Sequence, residues 1–512
     1  MKESIPPILR PEHISPVAFS ALVAQFELKF AHAGEAELFG ISMNTGDLRA
    51  GDLFVAMPGL KTHGAAFAAR AIELGAVAII TDEAGLAQIE SREVPIAILE
   101  QPRKHLGALA AQVYGNLPLV MPKTFATTGT NGKTSTSYLL EAILRQLGQV
   151  TGLTSTAERH IAGEVIVSRL TTPESPEMHA LIARMREKRV ESIAIEVSAQ
   201  ALTQLRVDGL IFDVAGFTNL SHDHLDDYGD MATYFEAKAR LLTPEHARRG
   251  VVCLDSAYGE QMFNAAKIPV VTISSSDSAN SDWKVRVTEE LPSQTKFEVT
   301  APSGETLQST IPIIGAHMAH NAALAIAMVC ESGISFSEIA AAVKDGINAY
   351  LPGRTERVTG ASGPDVFVDF GHSPDAFLNT LAAVRKVTKG KVIMLFGADG
   401  DRDATKRPDM ARVSARGCDV LVITDHHPRF EDPASIRATL VSAAREERPE
   451  LEIHEVSPPE AAIRTAVSLA GPGDSILWAG PGHQDYRDIR GVRTPYSARQ
   501  EARAALAEAG WK

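Results

Sequence analysis

A short glycine-containing stretch, GTNGKTS, has the residue types and the setting of a phosphate-binding loop. It follows the strand-like run TFATT and opens a long helical pattern. In that setting, backbone N–H groups of the loop and of the helix N-terminus hold phosphate oxygens. The Lys133 ammonium would meet the terminal phosphates, and the Thr134 hydroxyl would sit on magnesium. The predicted ATP-binding residues here are Gly129, Thr130, Asn131, Gly132, Lys133, Thr134 and Ser135.

The spacing of this loop departs from the common pattern, which has a glycine five positions before the glycine of Gly-Lys-Thr. Thr127 stands at that position, and the nearest glycine is Gly129. The stretch is therefore either a Gly-Asn turn that caps an ordinary helix or a phosphate loop of another lineage. The strand-turn-helix setting favours phosphate binding.

The last third of the chain contains four apolar strand candidates, and each runs directly into a polar or glycine-rich loop. Helical patterns separate them, as in a parallel sheet with crossover helices. Open α/β sheets bind ligands outside the carboxyl ends of their strands, so the four loops predict one composed site. The strands and their loops are VFVDF with GHSPD, VIMLFG with ADGDRDATKRP, VLVIT with DHHPRFEDP, and SILWAG with PGHQDYRD.

The 512 residues exceed what one hydrophobic core organises, and the length predicts about three α/β domains. The stretch YGNLPLVMPK supplies glycine and prolines typical of a linker, and LPGRTERV opens the last portion. We predict domains at residues 1–121, 122–350 and 351–512.

The composition is that of a globular protein, with 45% apolar and 22% charged residues. A net charge of −13 argues against general binding to nucleic acid or anionic membranes. Three widely spaced cysteines give neither a disulfide framework nor a zinc pattern, and no signal peptide or membrane span is evident. We expect a cytoplasmic protein, a monomer, without nucleic-acid or membrane partners.

The loop TTGTNGKTS resembles the ATP loop of the Mur ligases, the ATP-dependent amino-acid ligases of peptidoglycan synthesis, and of their folylpolyglutamate synthetase relatives. Further blocks resemble, in order, the branch that adds the third residue of the stem peptide, from about residue 40 to the end. The resemblance implies an N-terminal uridine-binding α/β domain, a central P-loop ATPase-like domain with a mostly parallel sheet, and a C-terminal Rossmann-like domain. The blocks include TTPES, EVSAQALTQLRV, FTNLSHDHLDDYGDMATYFEAKARLL, LPGRTERV and VDFGHSPDAF.

The resemblance also implies the chemistry: ATP phosphorylates a carboxylate, and an amine then attacks the acyl phosphate and expels phosphate. Developing negative charge calls for magnesium and cationic side chains. Lys238 would carry a carbamate formed with carbon dioxide, which turns a cation into a carboxylate. The implied catalytic residues are Lys133, Glu196, His224 and Lys238, and the implied metal site comprises Thr134, Glu196, His224 and carbamylated Lys238.

Three sets of substrate-binding residues follow from the resemblance. The remaining ATP contacts are Asn321, Arg354, Asp369 and His372. The uridine-diphosphate-muramoyl dipeptide is implied to contact Met43, Thr45, Thr171, Thr172, Ser198, Gln204 and Arg206. The incoming amino acid is implied to contact Arg402, His426, His427, Arg429, Gly480 and Gln484.

The amino-acid pocket departs from that of the branch members that add meso-diaminopimelate. Those have Asp-Asn-Pro-Arg where His426 and His427 precede Pro428 and Arg429, and a glutamate where Gln484 stands. L-lysine, ornithine, diaminobutyrate and meso-diaminopimelate all stay open as the diamino acid. Adjacent histidines on one loop rarely converge on one ion, so we expect no zinc there.

Two other functions are alternatives to ligation of the third stem-peptide residue. A folylpolyglutamate synthetase shares the ATP loop but does not account for the N-terminal block GISMNTGDLRAGDLFVAMPG. A P-loop nucleotide switch would not need the four strand-end loops of the last portion.

Overall fold

A computed structural model describes residues 8–59 and 61–511. Its N-terminal part has a five-stranded sheet in which parallel strands carry one antiparallel edge strand. The strands are β1 (Val17–Ala18), β2 (Lys29–His32), β3 (Glu37–Leu38), β4 (Gly40–Ser42), β5 (Asp52–Ala56), β6 (Ala78–Thr81) and β7 (Ile96–Ile98). The helices are α1 (Phe19–Gln25), α2 (Ala68–Glu73), α3 (Glu83–Leu86) and α4 (Pro102–Val113). The five-stranded sheet has the order β2-β7-β6-β5-β4, and β1 pairs with β3.

The central part is built on an eleven-stranded sheet. Its strands are β8 (Lys123–Thr128), β9 (Thr151–Thr154), β10 (Glu158–Ile161), β11 (Glu164–Val167), β12 (Ser192–Glu196), β13 (Phe212–Phe217), β14 (Ala247–Cys253), β15 (Val270–Ser274), β16 (Trp283–Leu291), β17 (Gln294–Thr300) and β18 (Thr306–Ile311). Its helices are α5 (Lys133–Gln146), α6 (Ser175–Glu187), α7 (Ala199–Thr203), α8 (Leu225–Tyr228), α9 (Met231–Ala239), α10 (Gly259–Ala265), α11 (Ala316–Glu331) and α12 (Phe336–Val343).

The middle of that sheet is parallel, in the order β9-β12-β8-β13-β14-β15-β16, with antiparallel pairs at both edges. Successive side chains of a strand point to opposite faces, and both faces here are covered. Phe125 of β8 joins the core beneath α5 and α11, whereas Ala126 joins the core beneath α6. Burial on both faces explains why the central strands read as continuous apolar runs.

The C-terminal part has a six-stranded sheet in the order β19-β20-β24-β21-β22-β23, parallel except at β19. The strands are β19 (Glu356–Arg357), β20 (Asp365–Asp369), β21 (Val392–Phe396), β22 (Val420–Ile423), β23 (Glu452–Glu455), β24 (Ser475–Ala479), β25 (Tyr486–Ile489) and β26 (Val492–Pro495). The helices are α13 (Pro374–Val387), α14 (Arg407–Gly417), α15 (Pro433–Glu447), α16 (Pro459–Leu469) and α17 (Ala498–Glu508).

The four strand candidates of the last third are β20, β21, β22 and β24, which are neighbours in one parallel sheet, as predicted. The mixed α/β fold class is likewise confirmed, whereas the domain boundaries stay predictions. Within residues 8–59 and 61–511, no helix combines the length and the apolar character that a membrane span requires.

Candidate active site

The loop between β8 and α5 adopts backbone angles that suit glycine. Gly132 has a φ of 86° and directly precedes α5, and Gly129 has a φ of 150°. A Cβ atom on Gly132 would lie 2.6 Å from Asn321 Oδ1, and one on Gly129 would overlap the Thr218 hydroxyl. The loop is therefore closely packed, and it lies beside Asn321 of α11.

Two lysines converge on the carbonyl groups of this loop. Lys133 Nζ donates to Gly129 O at 3.1 Å and to Thr130 O at 2.9 Å. Lys238 Nζ, on α9, donates to Gly129 O at 2.7 Å and lies 4.4 Å from the centroid of the Tyr234 ring. Burial lowers the pKa of Lys133, and burial with the nearby Lys133 charge lowers the pKa of Lys238 well below its usual value.

Oxygen atoms of Thr134 and Glu196 lie close together at the end of β12. Thr134 Oγ1 donates to Glu196 Oε2 at 2.9 Å, and the other Glu196 oxygen accepts from Thr156 Oγ1 at 3.0 Å. Glu196 and Thr134 are both buried. A carboxylate beside a hydroxyl at a phosphate loop is a donor set that suits Mg²⁺.

His224 directly precedes α8, and Asp223 stands one residue before it. His224 Nε2 lies 3.8 Å from Asp223 Oδ2, and burial lowers the pKa of His224. The electrostatic neighbours of His224 include Lys133 and Lys238. The structure therefore brings the four residues predicted to be catalytic into one neighbourhood.

Residues of the C-terminal part reach directly into this neighbourhood. Arg354 Nη2 donates to Thr134 Oγ1 at 2.9 Å, and Lys406 Nζ pairs with Asp223 Oδ1 at 2.7 Å. His372 Nε2 lies 3.8 Å from Asp223 Oδ2.

Two further contacts fix this arrangement. Asn131 Nδ2, in the loop, donates to Asp375 Oδ2 at 2.9 Å. Asp369 holds the backbone around Arg354 by accepting from the Thr355 N–H at 2.7 Å. The C-terminal part thus contacts the central part at the phosphate loop and at Asp223.

The residues predicted to bind the incoming amino acid cluster at the carboxyl ends of β22 and β24. His427 Nε2 and Gln484 Oε1 are 2.9 Å apart, and the rings of His426 and His427 lie 4.1 Å apart. Arg429 Nη1 donates to Gly400 O at 2.9 Å. Gly480 faces His426: a Cβ atom there would lie 3.4 Å from the imidazole.

Arg402 differs from the other residues predicted for this pocket. It is exposed, and it makes no hydrogen bond or ion pair within the described part of the chain. Its role in the pocket stays a prediction.

The residues predicted for the muramoyl dipeptide line a seam between the N-terminal and central parts. Arg103 donates both to Met43 Sδ at 3.7 Å and to Glu174 Oε2 at 2.6 Å. Glu174 also accepts from Arg206, which in turn donates to Gln204 Oε1 at 2.7 Å.

The other members of that set lie close by or on the N-terminal sheet. Thr172 Oγ1 donates to Glu196 O and accepts from the Ser198 N–H. Thr171 Oγ1 lies 3.0 Å from Thr156 Oγ1. Thr45 is half-buried in the turn that follows β4. Thr171, Thr172 and Ser198 connect the seam to Glu196.

Three family models match the chain: "Mur ligase family, catalytic domain" at residues 37–114, "Mur ligase middle domain" at 127–329, and "Mur ligase, glutamate ligase domain" at 353–482. A UDP-N-acetylmuramyl-tripeptide synthetase of Leifsonia xyli is 53% identical, with 99% of each chain covered. The chain belongs to the Mur ligase family. It is an ATP-dependent acid–amino-acid ligase, as predicted.

Other Mur ligases share its length and fold. A UDP-N-acetylmuramoyl-L-alanyl-D-glutamate--2,6-diaminopimelate ligase of Streptomyces coelicolor is 40% identical, covering 97% of this chain and 98% of its own. The solved structure of MurF from Acinetobacter baumannii superimposes with a TM-score of 0.68 at 18% identity, covering 97% and 99% of the two chains. The three-domain Mur ligase architecture is therefore shared.

Several residues of this Mur ligase site were not predicted from the sequence. Asp223 and Lys406 form a buried ion pair, Arg103 bridges the seam, and Asp399 lies beside Arg429. Asp399 and Lys406 stand in the loop ADGDRDATKRP, and their position directly after a strand of the parallel sheet is the sequence signal that points to them. Arg103 lies within a helical pattern and gave no local signal.

Proposed function

We propose that this Mur ligase joins a diamino acid to UDP-N-acetylmuramoyl-L-alanyl-D-glutamate in peptidoglycan biosynthesis, converting ATP to ADP and phosphate. The observation that carries the proposal is the convergence of three substrate regions on one phosphate loop. The seam joins Arg103 of the N-terminal part to Glu174 of the central part, the loop at Lys133 is central, and the cluster at Arg429 is C-terminal. The names of the most similar relatives support the same step.

In this proposal the terminal phosphoryl group of ATP moves to the substrate carboxylate, and ADP leaves. The amine of the incoming amino acid then attacks the acyl carbon, and the tetrahedral intermediate expels phosphate. Lys133 and Arg354 offset the negative charge that develops on the phosphoryl oxygens. Arg206 orients the dipeptide through its guanidinium fork, which fits a carboxylate or diphosphate.

The chain's oxygen donors fit magnesium at this site. The Thr134 hydroxyl and the Glu196 carboxylate would hold it, and bound Mg²⁺ would neutralise phosphate charge. Lys238 fits the proposed carbamate because burial and the nearby Lys133 charge lower the pKa of its ammonium, which favours the neutral, nucleophilic amine. That amine adds to the carbon of CO₂ and loses a proton, which yields a carboxylate-like anion. His224 would complete the set.

Arg429 supports an amino-acid substrate because its guanidinium suits a carboxylate. L-lysine, ornithine, diaminobutyrate and meso-diaminopimelate are the candidates, since both tripeptide synthetases and 2,6-diaminopimelate ligases are among the similar relatives.

An ATPase assay across these four amino acids tests the proposal. We expect phosphate release only when the muramoyl dipeptide and an amino acid are both present. Release that a pteroylglutamate stimulates instead would replace the proposal with a folylpolyglutamate synthetase. Release with ATP alone would favour a nucleotide switch.

A further inference from the structure

Asp399 places a carboxylate in the amino-acid cluster, directly after β21. Its Oδ2 atom lies 3.4 Å from Arg429 Nη2, and its Oδ1 atom lies 3.7 Å from His426 Nε2. Oδ1 is buried and has no hydrogen-bond partner within residues 8–59 and 61–511. A buried carboxylate oxygen without a donor carries the full cost of desolvation, so this atom is poised to accept a donor from a ligand.

The histidines beside Asp399 do not supply that donor. His427 Nδ1 accepts from the Asp488 N–H at 3.0 Å, so His427 Nε2 carries the hydrogen and donates to Gln484 Oε1. Both nitrogens of His427 are therefore used inside the protein. His426 Nε2 lies 3.7 Å from Oδ1, beyond hydrogen-bond distance. Burial and the adjacent His427 lower the pKa of His426 to about 3, which keeps that ring neutral.

Arg429 does not use Asp399 fully either. The contact involves one carboxylate oxygen at 3.4 Å, whereas Arg429 Nη1 is bonded more closely to Gly400 O, at 2.9 Å. A guanidinium and a carboxylate thus lie side by side, each with unused capacity. The Arg429 guanidinium favours the ionised carboxylate: burial alone would raise the pKa of Asp399, but the electrostatic influence of neighbours that include Arg429 lowers it.

We propose that Asp399 selects the amino-acid substrate by accepting its side-chain ammonium. The inference rests on the proposed function and deepens it: the substrate class is amino acids with a cationic side chain. Asp399 supplies a negative charge at a pocket where His426, His427 and Gln484 are neutral. Arg429, beside it, takes a carboxylate of the same molecule. An amino acid with a neutral side chain would leave Asp399 Oδ1 unpaired and would bind more weakly.

The test compares L-lysine, ornithine and diaminobutyrate with L-norleucine, which has the length of lysine without its ammonium. We expect Asp399→Asn to raise the KM for the preferred diamino acid roughly 10- to 100-fold, the value of a charge-assisted hydrogen bond. In the same variant, both the kcat and the KM measured with L-norleucine should change less than about threefold. Asp409→Asn, on the exposed face of α14, is the matched control and should behave as wild type.

A second variant separates specificity from folding. Asp399→Glu keeps the charge and moves it forward by one methylene, so the preferred diamino acid should become one methylene shorter. Wild-type KM values in Asp399→Asn overturn the inference, as does an equal loss of kcat with every amino acid or an unchanged preference in Asp399→Glu. Wild-type preference for L-norleucine also overturns it. Wild-type enzyme that releases no phosphate with any amino acid overturns the proposed function itself.

Zinc binding provides an independent check, because Asp399, His426 and His427 are close enough to share an ion. We expect the purified full-length wild-type protein to bind no stoichiometric Zn²⁺ when Zn²⁺ alone is added, since His427 has no free nitrogen. Stoichiometric Zn²⁺ binding that Asp399→Asn abolishes would overturn the inference.

Discussion

Lys238 is a lysine side chain whose exposed fraction is 1%, held between a loop carbonyl and a tyrosine ring. A buried ammonium is costly, and a neutral amine in the same place is free to react with CO₂. We predict that Lys238→Ala lowers kcat by about 10²-fold or more, because the proposed carbamate ligand of the metal site would be lost. ADP formation measures the loss, and added acetate or formate should restore part of it.

The matched control is Lys267→Ala, which removes an exposed lysine of the same central part. It should keep wild-type turnover. Both variants should keep the wild-type circular dichroism spectrum. Full turnover in Lys238→Ala would refute a role for this residue in the metal site.

The ion pairs of His160 predict how the stability of the fold depends on pH. Its Nδ1 atom lies 2.7 Å from Glu141 Oε2 and its Nε2 atom 3.3 Å from Glu158 Oε2. Burial alone would lower the pKa of His160, but these two carboxylates raise it to about 9. The contribution of protonated His160 to the free energy of unfolding is therefore complete below the usual histidine pKa of about 6.5. It is lost as pH rises through about 9.

We predict that His160→Gln lowers the free energy of unfolding by about 2 kcal/mol at pH 6 and by much less at pH 10. Chemical denaturation at both pH values measures the difference. His454→Gln, on edge strand β23, should change stability by less than about 0.5 kcal/mol at either pH. An equal loss at pH 6 and pH 10 would contradict the assigned charge.

At the scale of elements, helix α5 is flanked by two glycines whose substitution allows a controlled test of the phosphate loop. Gly132 before the helix and Gly148 after it have nearly the same φ, 86° and 84°, so alanine costs about 1 kcal/mol of backbone strain at either position. A Cβ on Gly148 meets nothing within 4 Å, whereas one on Gly132 meets the Asn321 amide. We predict that Gly132→Ala weakens binding of a fluorescent ATP analogue at least about tenfold, whereas Gly148→Ala leaves it unchanged. Equal affinities in the two variants would refute this role of the loop.

The same scale shows how much the sequence could predict. Strands buried on both faces, such as β20 and β21, read as apolar runs and were predicted. Strand β23 is half-exposed at a sheet edge and was missed. The clustering of the strand-end loops could be predicted, because the carboxyl ends of neighbouring parallel strands lie at the same edge of a sheet. The partners of Asp399 could not be predicted from local signals, because His426 and Arg429 follow another strand and reach it only through tertiary packing.

At the scale of the whole molecule, catalysis in this proposal requires the C-terminal part to stay closed over the phosphate loop. Among the described residues, two lysine–carboxylate ion pairs cross that interface. Lys406–Asp223 is buried, with side-chain exposures of 11% and 5%, whereas the Lys386 side chain of the Lys386–Glu290 pair is 57% exposed. Breaking a buried pair strands a charge and costs about 3–5 kcal/mol, whereas an exposed pair contributes about 0–1 kcal/mol.

We therefore predict that Lys406→Met opens the molecule, raising the radius of gyration in solution scattering and lowering turnover at least about tenfold. Lys386→Met removes a lysine from the same interface and should change neither quantity. The double variant Asp223→Asn/Lys406→Met removes the stranded charge as well, so its radius of gyration should return toward the wild-type value, even though Asp223 borders His224, which is predicted to be catalytic. A wild-type radius of gyration in Lys406→Met would mean that Arg354–Thr134 and Asn131–Asp375 hold the interface without the buried pair.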